Sequence, residues 1–229
     1  MNLSVRSSAP ELMDADDLRD ETYIAVMADL ARVNALTLAA RPTMAFLRRA
    51  ARGRRSLRIL DVGFGDGDML RRIEVWANQR RVAVELVGVD LNPRSEKAAR
   101  AHTRPSSTIR WVTGDYASLE GERWDVVISS LVAHHMSEPE LIAFLRFMEA
   151  NAAAGWFVND LLRHRFAFRS FPLLARIARW HPMVRHDGTL SIARAFRPAE
   201  WQSILSASDV SNARVFRAFP FRLCVERLR

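Results

Sequence analysis

Leu57-Arg-Ile-Leu-Asp61-Val-Gly63-Phe-Gly65-Asp-Gly67 is the stretch that decides the fold of this 229-residue chain. An apolar run carries an acidic residue near its end. Three glycines then alternate with other residues, and Asp68-Met-Leu70 opens a segment of helical periodicity. Glycine tolerates positive φ and lets another molecule approach the backbone closely. A strand-to-helix turn also aims free N–H groups at whatever lies above it. The stretch predicts a nucleotide- or nucleoside-binding corner of a parallel α/β sheet.

Charge narrows the ligand. A dinucleotide fingerprint reads G-x-G-x-x-G, whereas this turn reads G-x-G-x-G; a phosphate loop needs Lys followed by Ser or Thr, and neither is present. Asp61, Asp66 and Asp68 crowd the turn with negative charge. Such a corner repels a pyrophosphate and suits a ligand carrying a sulfonium and an ammonium.

Before this corner, Ile24, Met27, Leu30, Val33 and Leu36 fall at helical spacing within Leu18 to Arg52. Pro42 is expected to break that run, with Met44, Phe46 and Leu47 starting a second short helix. After it, strands are expected at Leu57–Val62, Val82–Val89, Ile109–Val112, Trp124–Leu131 and Trp156–Asn159, separated by helical faces. Alternation of this kind implies a parallel sheet with helices on both faces. From Asp160 to Arg214 the rhythm breaks into an aromatic stretch interleaved with arginines, and Asp187-Gly188 reads as a turn. Pro198 to Leu205 reads as a helix. Around Pro220 a closing hairpin is expected, because Phe221, Leu223 and Val225 alternate with Arg222, Cys224 and Glu226. The layout is an N-terminal helical cap over 1–53, a Rossmann-like α/β domain over 54–229, and a lid inserted at 161–196. Residues 1–20 are polar and are expected to be loosely held.

Apolar residues make up 49% of the chain, as in soluble globular proteins. No apolar stretch is long enough to cross a bilayer. Met1 to Asp17 has acidic residues and no apolar core, so it does not read as a secretory signal. Cys224 is the single cysteine, which excludes an internal disulfide and a Cys-rich metal site. A cytoplasmic location is the default expectation. Net charge is +8, Lys97 is the only lysine, and the arginines are scattered rather than gathered in one block. That scatter argues against a nucleic-acid partner.

Asp90 ends the second strand, where a carboxylate can accept both hydroxyls of a ribose. Asp115 and Tyr116 follow the third strand, placed to accept from an adenine amino group and to stack on its ring. The fourth strand ends in Ser129-Ser130-Leu-Val-Ala-His134-His135. Ligands of open α/β sheets lie beyond the carboxyl ends of strands, so His134 and His135 belong at the mouth of the site. An imidazole can take a proton from a hydroxyl near neutral pH. Adjacent histidines point in different directions; His135 is favoured as the base and His134 as a structural partner. No metal site is expected, since His102, His164, His181 and His186 show no zinc spacing. Asp160, at the end of the fifth strand, reads as a residue that orients a histidine, contacts substrate or caps the next helix. Phe168, Phe171 and Trp180 are candidates for lining an acceptor pocket, with ordinary core packing as the alternative.

The pattern Asp61-x-Gly63-x-Gly65-x-Gly67, with Asp90 and Gly114-Asp115 downstream, resembles the class I S-adenosylmethionine-dependent methyltransferases over Leu57 to Arg227. The resemblance implies a seven-stranded, mostly parallel sheet closed by an antiparallel strand. It implies S-adenosylmethionine as cofactor, held by Asp61, Gly63, Gly65, Gly67, Asp90, Leu91, Asp115, Tyr116 and Ser130. Pro10-Glu-Leu-Met-Asp14, Ser130 to His135, Val158-Asn159-Asp160-Leu and Asp187 to Phe196 are similar to bacterial small-molecule methyltransferases, including those associated with type III polyketide synthases and a quinone-methylase-like group. Those relatives imply O-methylation of phenolic or resorcinol-like acceptors. Two rivals stand beside this reading: a nucleic-acid methyltransferase using the Arg/aromatic segment, and a non-catalytic protein that keeps the cofactor pocket. Peripheral membrane contact through that same segment is compatible with a lipidic acceptor. Oligomeric state has no sequence signature here.

Overall fold

The computed structural model describes residues 3–15 and 17–229; residues 1, 2 and 16, part of the stretch expected to be loosely held, lie outside the described residues. Seven strands are formed: β1 (Ser56–Val62), β2 (Ala83–Asp90), β3 (Arg110–Thr113), β4 (Trp124–Ser130), β5 (Ala152–Leu161), β6 (Arg214–Ala218) and β7 (Arg222–Leu228). They make one sheet in the order β3-β2-β1-β4-β5-β7-β6. β1 to β5 run parallel, and β7 runs antiparallel to both β5 and β6. The expected seven-stranded, mostly parallel sheet with a closing hairpin is therefore present. Strand order reverses between β1 and β4, which opens the crevice where ligands of such sheets bind.

Among the described residues, eight α-helices surround the sheet: α1 (Asp20–Leu36), α2 (Ala40–Ala50), α3 (Asp68–Arg80), α4 (Pro93–His102), α5 (Glu138–Asn151), α6 (Arg165–Ile177), α7 (Pro182–Arg194) and α8 (Pro198–Ala207). The twofold alternation of strand side chains divides the core between two faces. Leu57 and Ile59 of β1 join Phe46 and Leu47 of α2 and Leu70 and Ile73 of α3 on one face. Leu60 and Val62 join Phe144 and Leu145 of α5 and Trp201 of α8 on the other. Helix starts follow side-chain chemistry. Asn92 accepts from the Arg94 N–H with Pro93 in the first turn, and Ser137 and Glu140 form a capping box at α5. Among the described residues, no single helix is long and apolar enough to cross a membrane.

Four local expectations are corrected. The α1–α2 break falls at Thr37–Ala39, where Leu38 has φ 52°; Pro42 sits in the first turn of α2, where its missing N–H costs nothing. β5 begins at Ala152 rather than Trp156, because Ala152-Ala-Ala154 has helix-forming composition that strand pairing overrides. Asp187-Gly188 lies inside α7, not in a turn. There the Asp187 carboxylate accepts the N–H groups of Leu12 (3.0 Å) and Met13 (2.9 Å). A side chain at Gly188 would put its Cβ 2.4 Å from the Phe171 ring. Finally, residues 3–15 form a strap bound across the body. Ser7 N–H donates to the Ala193 carbonyl at 3.1 Å, and the Arg6 guanidinium donates to the carbonyls of His134 and Met136, each at 2.6 Å.

The helical cap shares its core with the sheet across residue 53, since Met44, Phe46 and Leu47 pack in one cluster with Leu57 and Ile59. Asn159, fully buried in β5, donates to the Ala39 carbonyl (2.7 Å) and the Thr43 hydroxyl (3.1 Å), fixing α2 to the sheet. Asn159→Ala leaves that buried carbonyl without its donor. It is expected to cost about 1–3 kcal/mol of folding stability, read as a lower urea midpoint at unchanged slope.

Candidate active site

The carboxyl ends of β2, β1, β4 and β5 and the start of β7 border a cavity of about 780 Å3. Its β1–β2 end is built by the glycine turn. Gly63, Gly65 and Gly67 have φ of 76°, 57° and 76°. Gly67 immediately precedes α3, and a Cβ there would stand 2.4 Å from the Trp111 ring, so only glycine fits. Asp90 ties the end of β2 to this turn: one carboxylate oxygen accepts the Gly65 N–H and the other the Asn92 N–H, each at 2.9 Å. Burial raises the Asp90 pKa against the pull of those two bonds. Asp61, 2% exposed, is pushed well above the ordinary carboxylate range by burial and by the Asp90 charge. Asp66 and Asp68 are answered by Arg71 (3.2 Å) and Arg72 (2.6 Å) of α3. Among the described residues, the corner's carboxyls outside any ion pair are thus Asp61 and Asp90, not all the acidic residues of the turn.

The other residues assigned to the nucleoside end divide. Leu91, Tyr116 and Ser130 border the cavity together with Gly63, Gly65 and Asp90. Tyr116 is seated against Phe144 and Phe147, with ring centroids 4.9 Å away in each case. Asp115 is exposed, and its carboxylate accepts the Ala117 N–H (2.8 Å) to cap the short helical turn Tyr116–Leu119. Asp61 faces a smaller cavity of about 230 Å3 that also touches Ser130 and Asn159.

The two histidines part company as expected of neighbours. His134 is 3% exposed; its backbone N–H donates to one Asp160 oxygen (2.8 Å), and its Nδ1–H lies 2.7 Å from the other. Burial alone would raise the Asp160 pKa, but the charge and hydrogen bonds of His134, with the Leu161 N–H, hold it below the usual range. Asp160 therefore orients His134. His135 is one-third exposed on the cavity wall, its Nδ1 3.4 Å from Asp14 and its Nε2 3.9 Å from Glu11. Despite burial, the hydrogen bond and charge of His135 hold Asp14 low. Of the aromatic candidates, Phe171 borders the cavity, while Trp180 packs against Val26, Val33 and Val184. Phe168 is half-buried away from the cavity wall.

Glu11 was not visible as a site residue from the sequence. It is 5% exposed, accepts from the Ser191 hydroxyl (2.8 Å), and lies 3.7 Å from His134 Nε2. With Nδ1 facing Asp160, His134 presents its Nε2 toward Glu11. Burial pushes the Glu11 carboxyl upward, opposed by the charges of His135 and Arg194 and the Ser191 hydrogen bond. Glu11, His134 and His135 bring ligand-type atoms within 4.8 Å of one another. Spacing among the histidines says nothing of this trio, since Glu11 joins from the N-terminal strap. Only the run Pro10 to Asp14, noted above for its similarity, hinted at it.

Comparison with known proteins agrees with this architecture. A family model described as a methyltransferase domain matches residues 59–155. The ubiquinone biosynthesis O-methyltransferase of Cereibacter sphaeroides (strain KD131) is 26% identical over 181 residues, covering 68% of this chain and 70% of that protein. The enzyme of the same name from Roseobacter denitrificans is 34% identical over 88 residues, covering 37% and 33%. Among solved structures, a plantazolicin methyltransferase in complex with S-adenosylhomocysteine (SAH) and a substrate analogue superposes with TM-score 0.64 at 13% identity, covering 92% of this chain and 96% of that one. Human N-acetylserotonin methyltransferase superposes with TM-score 0.64 at 12% identity; this chain spans 56% of its length. The domain match over the glycine turn and the first four strands, with the strand order and the acidic ends of β1 and β2, supports a class I S-adenosylmethionine-dependent methyltransferase.

Proposed function

We propose that this protein, acting in the cytoplasm, methylates an oxygen of an aromatic, polyketide-derived small molecule. One observation carries the reading: a single cavity joins the glycine turn and Asp90 to an apolar far half through a wall that bears His135. The first residues suit the nucleoside, the last suit a ring, and the imidazole stands between. The O-methyltransferase names of the relatives favour an oxygen acceptor.

The residues present fit the cofactor by charge. Asp61 and Asp90 offer carboxyl oxygens whose ionised form a ligand cationic at sulfur and nitrogen would favour, and the glycine turn leaves its backbone open. Asp90 would hold the ribose, with Leu91 and Tyr116 beside the base and Ser130 toward the methionine. When bound, S-adenosylmethionine supplies a methyl carbon activated by a sulfonium. The protein's task is then to hold the acceptor oxygen in line with that carbon, an effect that can supply about 7–11 kcal/mol of the barrier. His135 takes the phenolic proton, with Asp14 and Glu11 stabilising the imidazolium that forms. Such base assistance contributes about 10²–10⁴-fold. Phe166, Phe171, Leu174 and Phe221 shape the apolar half. Phe166, Leu173, Ile177 and Phe219 are 61–80% exposed around α6 and the closing hairpin, which suits peripheral contact with a membrane that carries a lipidic acceptor.

Methyl transfer should be measured against 5-pentylresorcinol, catechols and quinols. Product is expected from at least one phenol, and His135→Ala should lower its turnover about 10²–10⁴-fold while leaving affinity for SAH unchanged. Turnover that survives this change would remove the imidazole from the mechanism. Asp61 gives a pH test. Its carboxyl stays protonated in the fold at pH values where the unfolded chain has ionised, so stability is lost as pH rises from the ordinary carboxylate range through Asp61's raised pKa. Asp61→Asn should abolish that loss, stabilise the protein at neutral pH and weaken nucleoside binding. A variant less stable than the parent at neutral pH would contradict the burial argument.

A further inference from the structure

The far end of the cavity holds a guanidinium that forms no ion pair with a carboxylate among the described residues. Arg222 opens β7, opposite Leu161 of β5, and is 2% exposed. Its Nη2 donates to the Thr37 hydroxyl at 3.2 Å. Its Nε and Nη1 are buried with no hydrogen-bond partner among the described residues. The contrast with Arg163 is instructive: that equally buried guanidinium is paired with Glu200 and donates to the Ala195 carbonyl. Asp160 lies on the strand beside Arg222, but its oxygens are taken by His134 and Leu161. Burial brings Arg222 down to about 10 against the charge of nearby Asp160, which raises it, so it remains a cation at neutral pH. A buried cation without a counter-ion is costly, and a protein keeps one where a ligand completes it.

Position identifies whose anion that is. Along the carboxyl edge the order is Asp90 on β2, Gly63 after β1, Ser130 on β4, Leu161 on β5, then Arg222 on β7. The nucleoside end lies over β1 and β2, and Arg222 stands two strands beyond β4, about 10 Å at ordinary strand spacing. It borders the same cavity as Phe166, Phe221 and His135. We propose that Arg222 is the anion-binding site of the acceptor pocket, and that the acceptor is an aromatic carboxylic acid whose carboxylate pairs with its guanidinium. A guanidinium edge presents two parallel donors, the geometry that carboxylates accept in bidentate fashion. The inference rests on the methyl-transfer reading of the cavity and adds the class of acceptor to it.

Arg222 also borders the smaller cavity that reaches Asp61, so the amino-acid carboxylate of the cofactor is the competing source of the anion. The experiment separates the two. The protein loaded with SAH is titrated with 5-pentylresorcinol and with 2,4-dihydroxy-6-pentylbenzoate, a pair that differs only in the carboxylate. The carboxylate is expected to bind at least tenfold tighter. Arg222→Gln should erase that preference without lowering affinity for SAH or the melting temperature, and Arg222→Lys should keep part of it. Equal affinities, or no binding of either compound at millimolar concentration, overturn the proposal while leaving the cofactor site intact. If Arg222→Gln weakens SAH but not 5′-methylthioadenosine, which lacks the amino acid, the site belongs to the cofactor and the proposal fails. Should the unaltered protein not bind SAH at all, the methyl-transfer reading itself falls, a result distinct from the others.

Discussion

The hydrogen bond from the Gly65 N–H to the Asp90 carboxylate is the contact on which the rest of the site depends. It joins the end of β2 to the turn after β1 and holds that turn in left-handed backbone conformations. Packing leaves little freedom around it, because the Trp111 ring occupies the space a side chain at Gly67 would need. The same carboxylate is the group a ribose would claim. Asp90 thus organises the loop, and under the proposed function it would also face the nucleoside.

The sheet was legible in the sequence because its strands are short, apolar and bounded by turn signals. Leu57 to Val62 and Val82 to Val89 are found within about a residue of their expected limits, as strand periodicity allows. Misplaced boundaries have specific causes. Ala152 to Ala154 looks helical alone and becomes strand by pairing with β4. Asp187-Gly188 looks like a turn and stays helical because each residue answers a distant one, Asp187 the N-terminal strap and Gly188 the Phe171 ring. Local propensity loses where a tertiary contact demands a residue type.

The glycine turn was equally legible, since a contiguous motif carries it. The far wall of the cavity was not. Glu11 and Asp14 come from the strap, the histidines from the turn after β4, and Arg222 from the start of β7, so no spacing rule connects them. Arg222 even reads as an outward-facing member of an alternating strand, yet the sheet edge turns it into the cavity. Electrostatics shifted too: Asp66 and Asp68, which look like free anions in the sequence, are spent on Arg71 and Arg72. What remains is an economical arrangement, with two buried carboxyls at the glycine turn and one buried guanidinium at the far end of the cavity.

The most direct measurement of this account is calorimetric titration of the purified protein with S-adenosylmethionine, ATP and NAD. The anionic corner predicts one-to-one binding of the sulfonium nucleoside and no measurable heat from either phosphate-bearing ligand. Tight binding of ATP or NAD, with none of S-adenosylmethionine, would contradict it.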